Sequence, residues 1–513
     1  MVIAHSFGAG GRMDAYLVAI SVPFLVIGIV GGVISYAVLP ILAGRRLQDP
    51  ENYLGFVGDL LIGFAVLGVV VGTVGYLISP VLLRTVAPSL PPAVVPEATA
   101  VARVSWLTVG CFFVVSYFGA VQNTERRFAW PVLTAMVPFL GMIVAAIIWS
   151  SRAGTVALAW GMLAGNIASI IILWLGVRRT LLVGQVGWSV WTEIQPILAA
   201  LPLIIISTLC FTIFGTVDAF WASSLGPSNV SYLGYGQRIV IALGSFVIQG
   251  PSVVLGPYLS EYAAAGQMAE FRRTTARAIR MVLAVTVPVA VMISLLRIPI
   301  VELLLQRGAF DSRATAGTAS VLLGMLIGMI AMVNVIILLR ALHARRDIIG
   351  AAIIGGLGAL SYFCLSGVLS KWLGLSGIVF AFVATWYLLL AVAIWRIWDK
   401  DSIRIFAPHN LRFLSQLTIA AVACGLPVWA LWLVMQSPEA VIGRVNLLIR
   451  VGLVTGLGAV TFLIVSVAVF RMPEMMLLVR PVLSFGRARQ NGFYARGFLR
   501  SRRSDNSGSR VSL

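Results

Sequence analysis

Acidic residues are scarce in this sequence, and histidine and cysteine are scarcer still. With 18 Asp and Glu in 513 residues, and only short stretches between the hydrophobic runs, there is no sign of the paired carboxylates that general acid–base chemistry or glycosyl transfer needs. The three histidines, His5, His343 and His409, lie far apart, and Cys111, Cys210, Cys364 and Cys424 share no CxxC spacing, so neither a zinc nor a haem site is expected. The cysteines read as small packing residues inside apolar stretches. No phosphate-cradling glycine loop is present, and Met1–Gly11 lacks the basic head and apolar run of a cleavable signal. The chain is therefore expected to be no enzyme and to hold no cofactor.

What the chain has in quantity is hydrocarbon. Sixty per cent of the residues are hydrophobic, 11% are charged and the mean hydropathy is +0.99, which excludes a soluble globular protein. Runs long enough to cross about 30 Å of hydrocarbon as helix fall at 15–42, 54–83, 104–121, 130–149, 156–177, 197–225, 232–259, 281–305, 314–339, 348–369, 375–395, 414–435 and 451–470. The expectation is an all-α polytopic membrane protein with about 13 transmembrane helices.

The net charge of +19 does not signal nucleic acid, because the basic residues alternate by loop. One side carries ten Lys or Arg, the other, with the tail, 26, and Arg238 lies inside a span, which accounts for all 37. Clusters at Arg45/Arg46, Arg126/Arg127, Arg178/Arg179, Arg272/Arg273 and Arg345/Arg346 mark the rich side. The positive-inside rule places that side, and the C-terminus, in the cytoplasm.

The chain also nearly repeats itself. Leu39-Pro40-Ile41-Leu42 returns as Gly256-Pro257-Tyr258-Leu259, an expected break at Ser79-Pro80 as one at Ile298-Pro299, and Glu125-Arg126-Arg127 as Ala344-Arg345-Arg346, while Arg178 and Arg396 lie 218 apart. Repeats of this size with the same sidedness predict two parallel-related helical lobes around a central cavity. The N-terminal lobe takes 1–180, an interfacial linker with Trp188 and Trp191 takes 181–195, and the C-terminal lobe takes 196–398. Two additional transmembrane helices occupy 399–475, and the basic tail 476–513 is expected to be disordered, lying on anionic lipid. Carrying the offset back from Ile197 puts its partner before residue 8, so the first copy is expected to lack its first helix.

Charges inside a bilayer are costly and have a task or a partner. Asp218 lies eight residues before the turn Gly226-Pro227-Ser228-Asn229, and Arg238 seven after Ser231. At about 1.5 Å per residue both sit roughly 10–12 Å below the same surface. Two readings stay open: an ion pair that fixes a helical hairpin, or a cavity site in which Arg238 meets an anionic group while Asp218 holds it or exchanges a proton. Asp14, at the mouth of the first span, reads as an N-terminal helix cap or a cavity residue. Asn166, Gln249 and Asn334 either line a cavity or bond neighbouring helices, the second being the default. Pro23, Pro138, Pro202 and Pro288 fall inside spans as hinge candidates.

Specific strings sharpen this. Phe7-Gly8-Ala9-Gly10 followed by Asp14-Ala15-Tyr16-Leu17-Val18-Ala19 and Pro23 resembles the segment entering the second helix of the lipid II flippase family (MurJ/MviN). Leu304 to Asp311 resembles that family's loop after its ninth helix, Ala344-Arg345-Arg346-Asp347 its basic turn, and Val217-Asp218 through Arg238 its seventh and eighth helices. The resemblance implies membership of the multidrug/oligosaccharidyl-lipid/polysaccharide exporter superfamily, with two six-helix lobes and two added helices. It also implies translocation of an undecaprenyl-diphosphate-linked saccharide by alternating access, with Asp14 and Arg238 carried over as cavity residues. Membrane lipids and cell-wall or polysaccharide synthesis proteins are the further partners it implies. The family's arginine in the second helix falls near Ile27 here, and its glutamate after the Arg238 position falls at Ile241. Lipid II, a lipid-linked exopolysaccharide repeat, drug-like organic cations and a degenerate non-transporting scaffold all remain readings at this point.

Overall fold

The computed structural model describes residues 1–181, 201–209, 212–401, 408–435, 443–472 and 475–476, and every regular element among them is helical. Most of the 181–195 linker, nearly all of the 476–513 tail and Cys210 lie outside the described residues, as does the side chain of Gln249. Among the described residues eleven helices are long and apolar enough to cross a bilayer, and the bent pair Leu201–Leu209 with Phe214–Leu225 makes a twelfth if counted as one span. The remaining predicted span, 232–259, lies within Asn229–Ala264, a continuous 36-residue helix that carries the polar Gln237 and Arg238.

The repeat is written into the backbone. In the first copy come α1 (Val2–Phe7), α2 (Gly11–Val33), a π-turn and α3 (Leu39–Gln48), α4 (Tyr53–Val86), α5 (Val95–Thr124), α6 (Ala129–Thr134), α7 (Val137–Ala153) and α8 (Val156–Leu181). The second copy has α9 (Leu201–Leu209), α10 (Phe214–Ala222), α11 (Asn229–Ala264), α12 (Met268–Leu295), α13 (Arg297–Leu305), α14 (Ser312–Ala344), α15 (Ile348–Leu373) and α16 (Leu375–Asp401). After them come α17 (Pro408–Met435) and α18 (Arg444–Ile464).

Helix starts Gly11 and Asn229 are 218 apart, but further along the offset is 220. Arg126 and Arg346 both adopt a left-handed φ, 62° and 57°, and close their turns with the same bonds, Arg127 N to Gln122 O and Asp347 N to Leu342 O. Gly154 and Gly374 do likewise, at φ 56° and 59°, each N–H reaching a serine carbonyl four residues back. Two backbone conformations that L-residues avoid, recurring at one spacing, make the duplication a matter of geometry as well as of letters.

Where the copies differ, proline explains part of it. The predicted break at Ser79-Pro80 does not occur: α4 runs through it, and the Ser79 hydroxyl donates back to the Gly75 carbonyl at 2.7 Å. The matching Ile298-Pro299 does follow a break, at Leu296, which divides the predicted span 281–305 into α12 and α13. Pro299 then stands in the first turn of α13, where a missing N–H costs nothing. Pro23 and Pro288 lie inside α2 and α12, and Pro138 opens α7.

Lipid tails are as apolar as leucine, so helices in a bilayer associate by close packing of small residues rather than by burial of grease. Gly141 on α7 and Gly161 on α8 meet so tightly that a Cβ on either would come within 2.3–2.4 Å of the other's carbonyl oxygen. The central helices α5 and α14 are the matched, deeply buried members of the two copies, while α4 turns Val66, Val69, Leu77 and Val81 outward.

Candidate functional site

The two copies meet along α2. Its Gly28 and Gly32 let the chain near Thr212 and Thr208 pass so close that a Cβ at either glycine would overlap a threonine methyl. One turn or two further up, the Thr216 hydroxyl donates to the Ser21 carbonyl at 3.2 Å. Toward the end of the bundle opposite the Arg-rich loops, α2 leaves α10 for the start of α11. Between these contacts a cavity of about 540 Å³ remains. Tyr16, Ile20 and Phe24 line it from α2, Phe139 and Met142 from α7, Met162 from α8 and Gly234, Gln237, Arg238 and Ile241 from α11. Residues three or four apart share a helix face, which is why α2 and α11 each give it a stripe.

Both buried charges predicted from the sequence reach this cavity, but they do not pair. Arg238 is exposed to the space and makes no hydrogen bond or ion pair among the described residues. Asp218 is buried, and its carboxylate turns to α15, where Oδ1 accepts from the Tyr362 hydroxyl while Oδ2 has no partner. The ion pair, one of the two readings left open by the sequence, is thus replaced by a carboxylate–phenol contact. Equal depth put the two charges at one level, but an aromatic group of Phe214, Tyr362, Phe382 and Trp386 offers Asp218 a nearer donor. This contact predicts a stability effect: Tyr362→Phe should destabilise the folded protein by roughly 1–3 kcal/mol, since it leaves a buried carboxylate with no donor. Thermal melts in detergent would check it, and a smaller loss when Asp218→Asn accompanies Tyr362→Phe would identify the charge as the cause.

Asp14 does not line the cavity. It caps a helix, but not its own: Gly10 stands at the N-cap of α2, and the Asp14 carboxylate accepts from the backbone N–H of Ser228 and from the N–H (2.7 Å) and hydroxyl of Ser231. Two N–H groups at the start of α11, those of the N-cap Ser228 and of Ser231, are therefore satisfied by a side chain from the other copy, an arrangement favoured by the helix dipole. Ser228 is held at φ 76° to point its N–H there. The same end of the bundle carries Tyr235 donating to the Gly8 carbonyl at 2.9 Å and Ala309 N donating to the His5 carbonyl at 3.0 Å. At the Arg-rich end, the copies touch through Tyr36 stacked on His343, ring centroids 4.4 Å apart.

The other polar candidates have local tasks. Asn166 and Asn334 donate to Met162 and Ile330 one turn back in their own helices, at 3.0 and 2.7 Å, and among the described residues do not make the bonds to neighbouring helices that are the default expectation. An amide buried in hydrocarbon takes the nearest carbonyl, and in a helix that is the one four residues back. Cys111, Cys364 and Cys424 are free thiols, and no group of three His, Cys, Asp or Glu that could hold a metal occurs among the described residues. Sequence reasoning missed Tyr362, Ser228 and Ser231, which have no linear relation to the acids they serve. The turn Gly226-Pro227-Ser228-Asn229 was the one available signal of a helix start in need of a cap.

A family model described as lipid II flippase MurJ matches residues 3–443. Among curated proteins, a probable lipid II flippase MurJ of Rhizobium meliloti is 28% identical over 358 residues, covering 67% of this chain and 65% of its own length. Its counterpart in Haemophilus influenzae is 26% identical over 457 residues, 84% of this chain and 88% of that one. Among solved structures, one titled as lipid II flippase MurJ in an inward closed conformation superimposes with a TM-score of 0.74 at 18% identity, covering 92% of this chain and 95% of that one.

Proposed function

The chain belongs to the lipid II flippase MurJ family, and from that premise we propose that it moves lipid II, an undecaprenyl-diphosphate-linked saccharide, from the inner to the outer leaflet of the bacterial inner membrane by alternating access. The observation that carries this reading is the unpaired guanidinium of Arg238 in an otherwise largely apolar cavity between the two copies. A diphosphate offers oxygens in the fork geometry that guanidinium matches, and the aromatic and methionine walls suit the lipid end better than a drug-like cation, which would call for acidic walls. Asp14 serves in this reading as a latch rather than as a substrate contact. While its carboxylate holds α11 the outer ends of the copies stay together, and its release accompanies opening to the outside. Cell-wall synthesis proteins would supply the substrate and consume it.

Growth rescue tests the proposal. In cells depleted of their own lipid II flippase, expression of this chain should restore growth and the appearance of lipid II in the outer leaflet. Membrane insertion at normal levels without rescue would discard lipid II as the substrate. Rescue of a strain lacking an exopolysaccharide flippase in its place would transfer the assignment to that substrate.

A further inference from the structure

A second pocket, of about 440 Å³, lies away from the central cavity, against the two helices that stand outside the repeat. Its floor is the break between α12 and α13, with Leu295, Arg297, Pro299 and Glu302, and its wall is α17, with Trp429 and Trp432. The guanidinium of Arg297 is held in place by one bond, Nη1 donating to the Ser294 carbonyl at 2.8 Å, and its other N–H groups have no partner among the described residues. The Glu302 carboxylate makes no hydrogen bond or ion pair among the described residues, and no ion pair joins it to Arg297. Opposite charges that share one pocket without pairing present two separate sites to a ligand.

The pocket's depth argues for what fills it. Trp432 and Trp429 come three and six residues before Met435 at the last described turn of α17, so they sit within roughly 10 Å of the helix end at about 1.5 Å per residue. That is where tryptophan gathers in membrane proteins, at headgroup level. Trp429 is 53% exposed, and Leu426, Leu433 and Val434 beside it open the pocket sideways to the acyl chains. The end is also fastened: Arg444 at the start of α18 donates to the Gln306 carbonyl at 3.2 Å, and Arg450 to that of Met435.

We propose that this pocket binds the headgroup of a zwitterionic phospholipid of the phosphatidylethanolamine class, its phosphate on Arg297 and its ammonium on Glu302, with its glycerol end between the two tryptophans. An anionic lipid fits less well, since its phosphate would find Arg297 but its uncharged or negative terminus would face Glu302. The bound lipid bridges the α12–α13 break to α17, and so couples the added helices to the second copy at the end opposite the Arg-rich loops.

Native mass spectrometry of the full chain, delipidated in detergent and titrated with dioleoyl-phosphatidylethanolamine or dioleoyl-phosphatidylglycerol, tests the assignment. The ethanolamine lipid should bind roughly tenfold more tightly, the effect of one charge-assisted hydrogen bond gained. Glu302→Gln should abolish that preference, and Arg297→Gln should weaken both lipids. Equal or tighter binding of the glycerol lipid by the wild-type chain, or a preference that survives Glu302→Gln, would overturn the proposal. Glu302 makes no side-chain bond among the described residues, so this variant decides the matter even if loss of the Arg297–Ser294 bond impairs folding.

Discussion

Arg238→Ala is expected to abolish growth rescue in flippase-depleted cells, with lipid II transport reduced roughly ten- to a hundredfold. The size follows from the charge-assisted hydrogen bonds a guanidinium can give a diphosphate, each about 1.5–3 kcal/mol where water is largely excluded. No other cation among the described residues lines the central cavity, so nothing there substitutes for it. Arg238→Lys keeps the charge but not the paired N–H fork, and should fall between the two. The stability of the Ala variant should equal that of the wild type, because the guanidinium bonds to nothing among the described residues. If Arg238→Ala flips lipid II at the wild-type rate when present at the wild-type level, Arg238 is not the substrate contact.

The second large effect is conformational. Asp14→Ala removes every side-chain acceptor from the first turn of α11, and loss of such a cap costs about 0.5–2 kcal/mol, more in a buried setting. The loss falls only on the state in which the outer ends of the two copies are in contact. At about 1.4 kcal/mol per factor of ten, the balance should shift roughly tenfold toward the separated state. Spin labels at the exposed positions Arg12, on α2, and Arg313, on α14, would read this as a longer inter-label distance by pulsed electron resonance. Asp14→Asn, which still offers one acceptor oxygen, should move the distribution less. An Asp14→Ala distribution that coincides with the wild type would show that the latch is not what holds these ends together.

Much of this could be read before any coordinates, though unevenly. The spans were legible because a helix must be apolar over about 20 residues to cross the bilayer, a signal carried by every residue in it. The repeat was legible through Arg126 and Arg346, although the sequence reading set their spacing one residue short of the 220 that their shared left-handed turns require. The Ser79-Pro80 break was misread because a proline removes one hydrogen bond whether or not the helix ends there. Continuation depends on what surrounds it, here Ser79 bonded back to Gly75 and Gly75 against the Trp106 ring.

The site divides along the same line. That Asp14, Asp218 and Arg238 matter follows from the cost of burying a charge, which is a property of residue and position in the span. Which atoms answer each charge does not follow, because the answer comes from across the bundle. Ser231 lies 217 residues from Asp14, and Tyr362 lies 144 from Asp218. The sequence by itself determined a duplicated bundle of membrane helices and three charges that had to be accounted for. Only the tertiary structure decided that Asp218 answers to a phenol, that Asp14 caps a helix of the other copy, and that Arg238 is left free to meet a ligand. Hydrophobic matching to a bilayer is summed along one helix, whereas a hydrogen bond exists only where two distant helices bring donor and acceptor within about 3 Å.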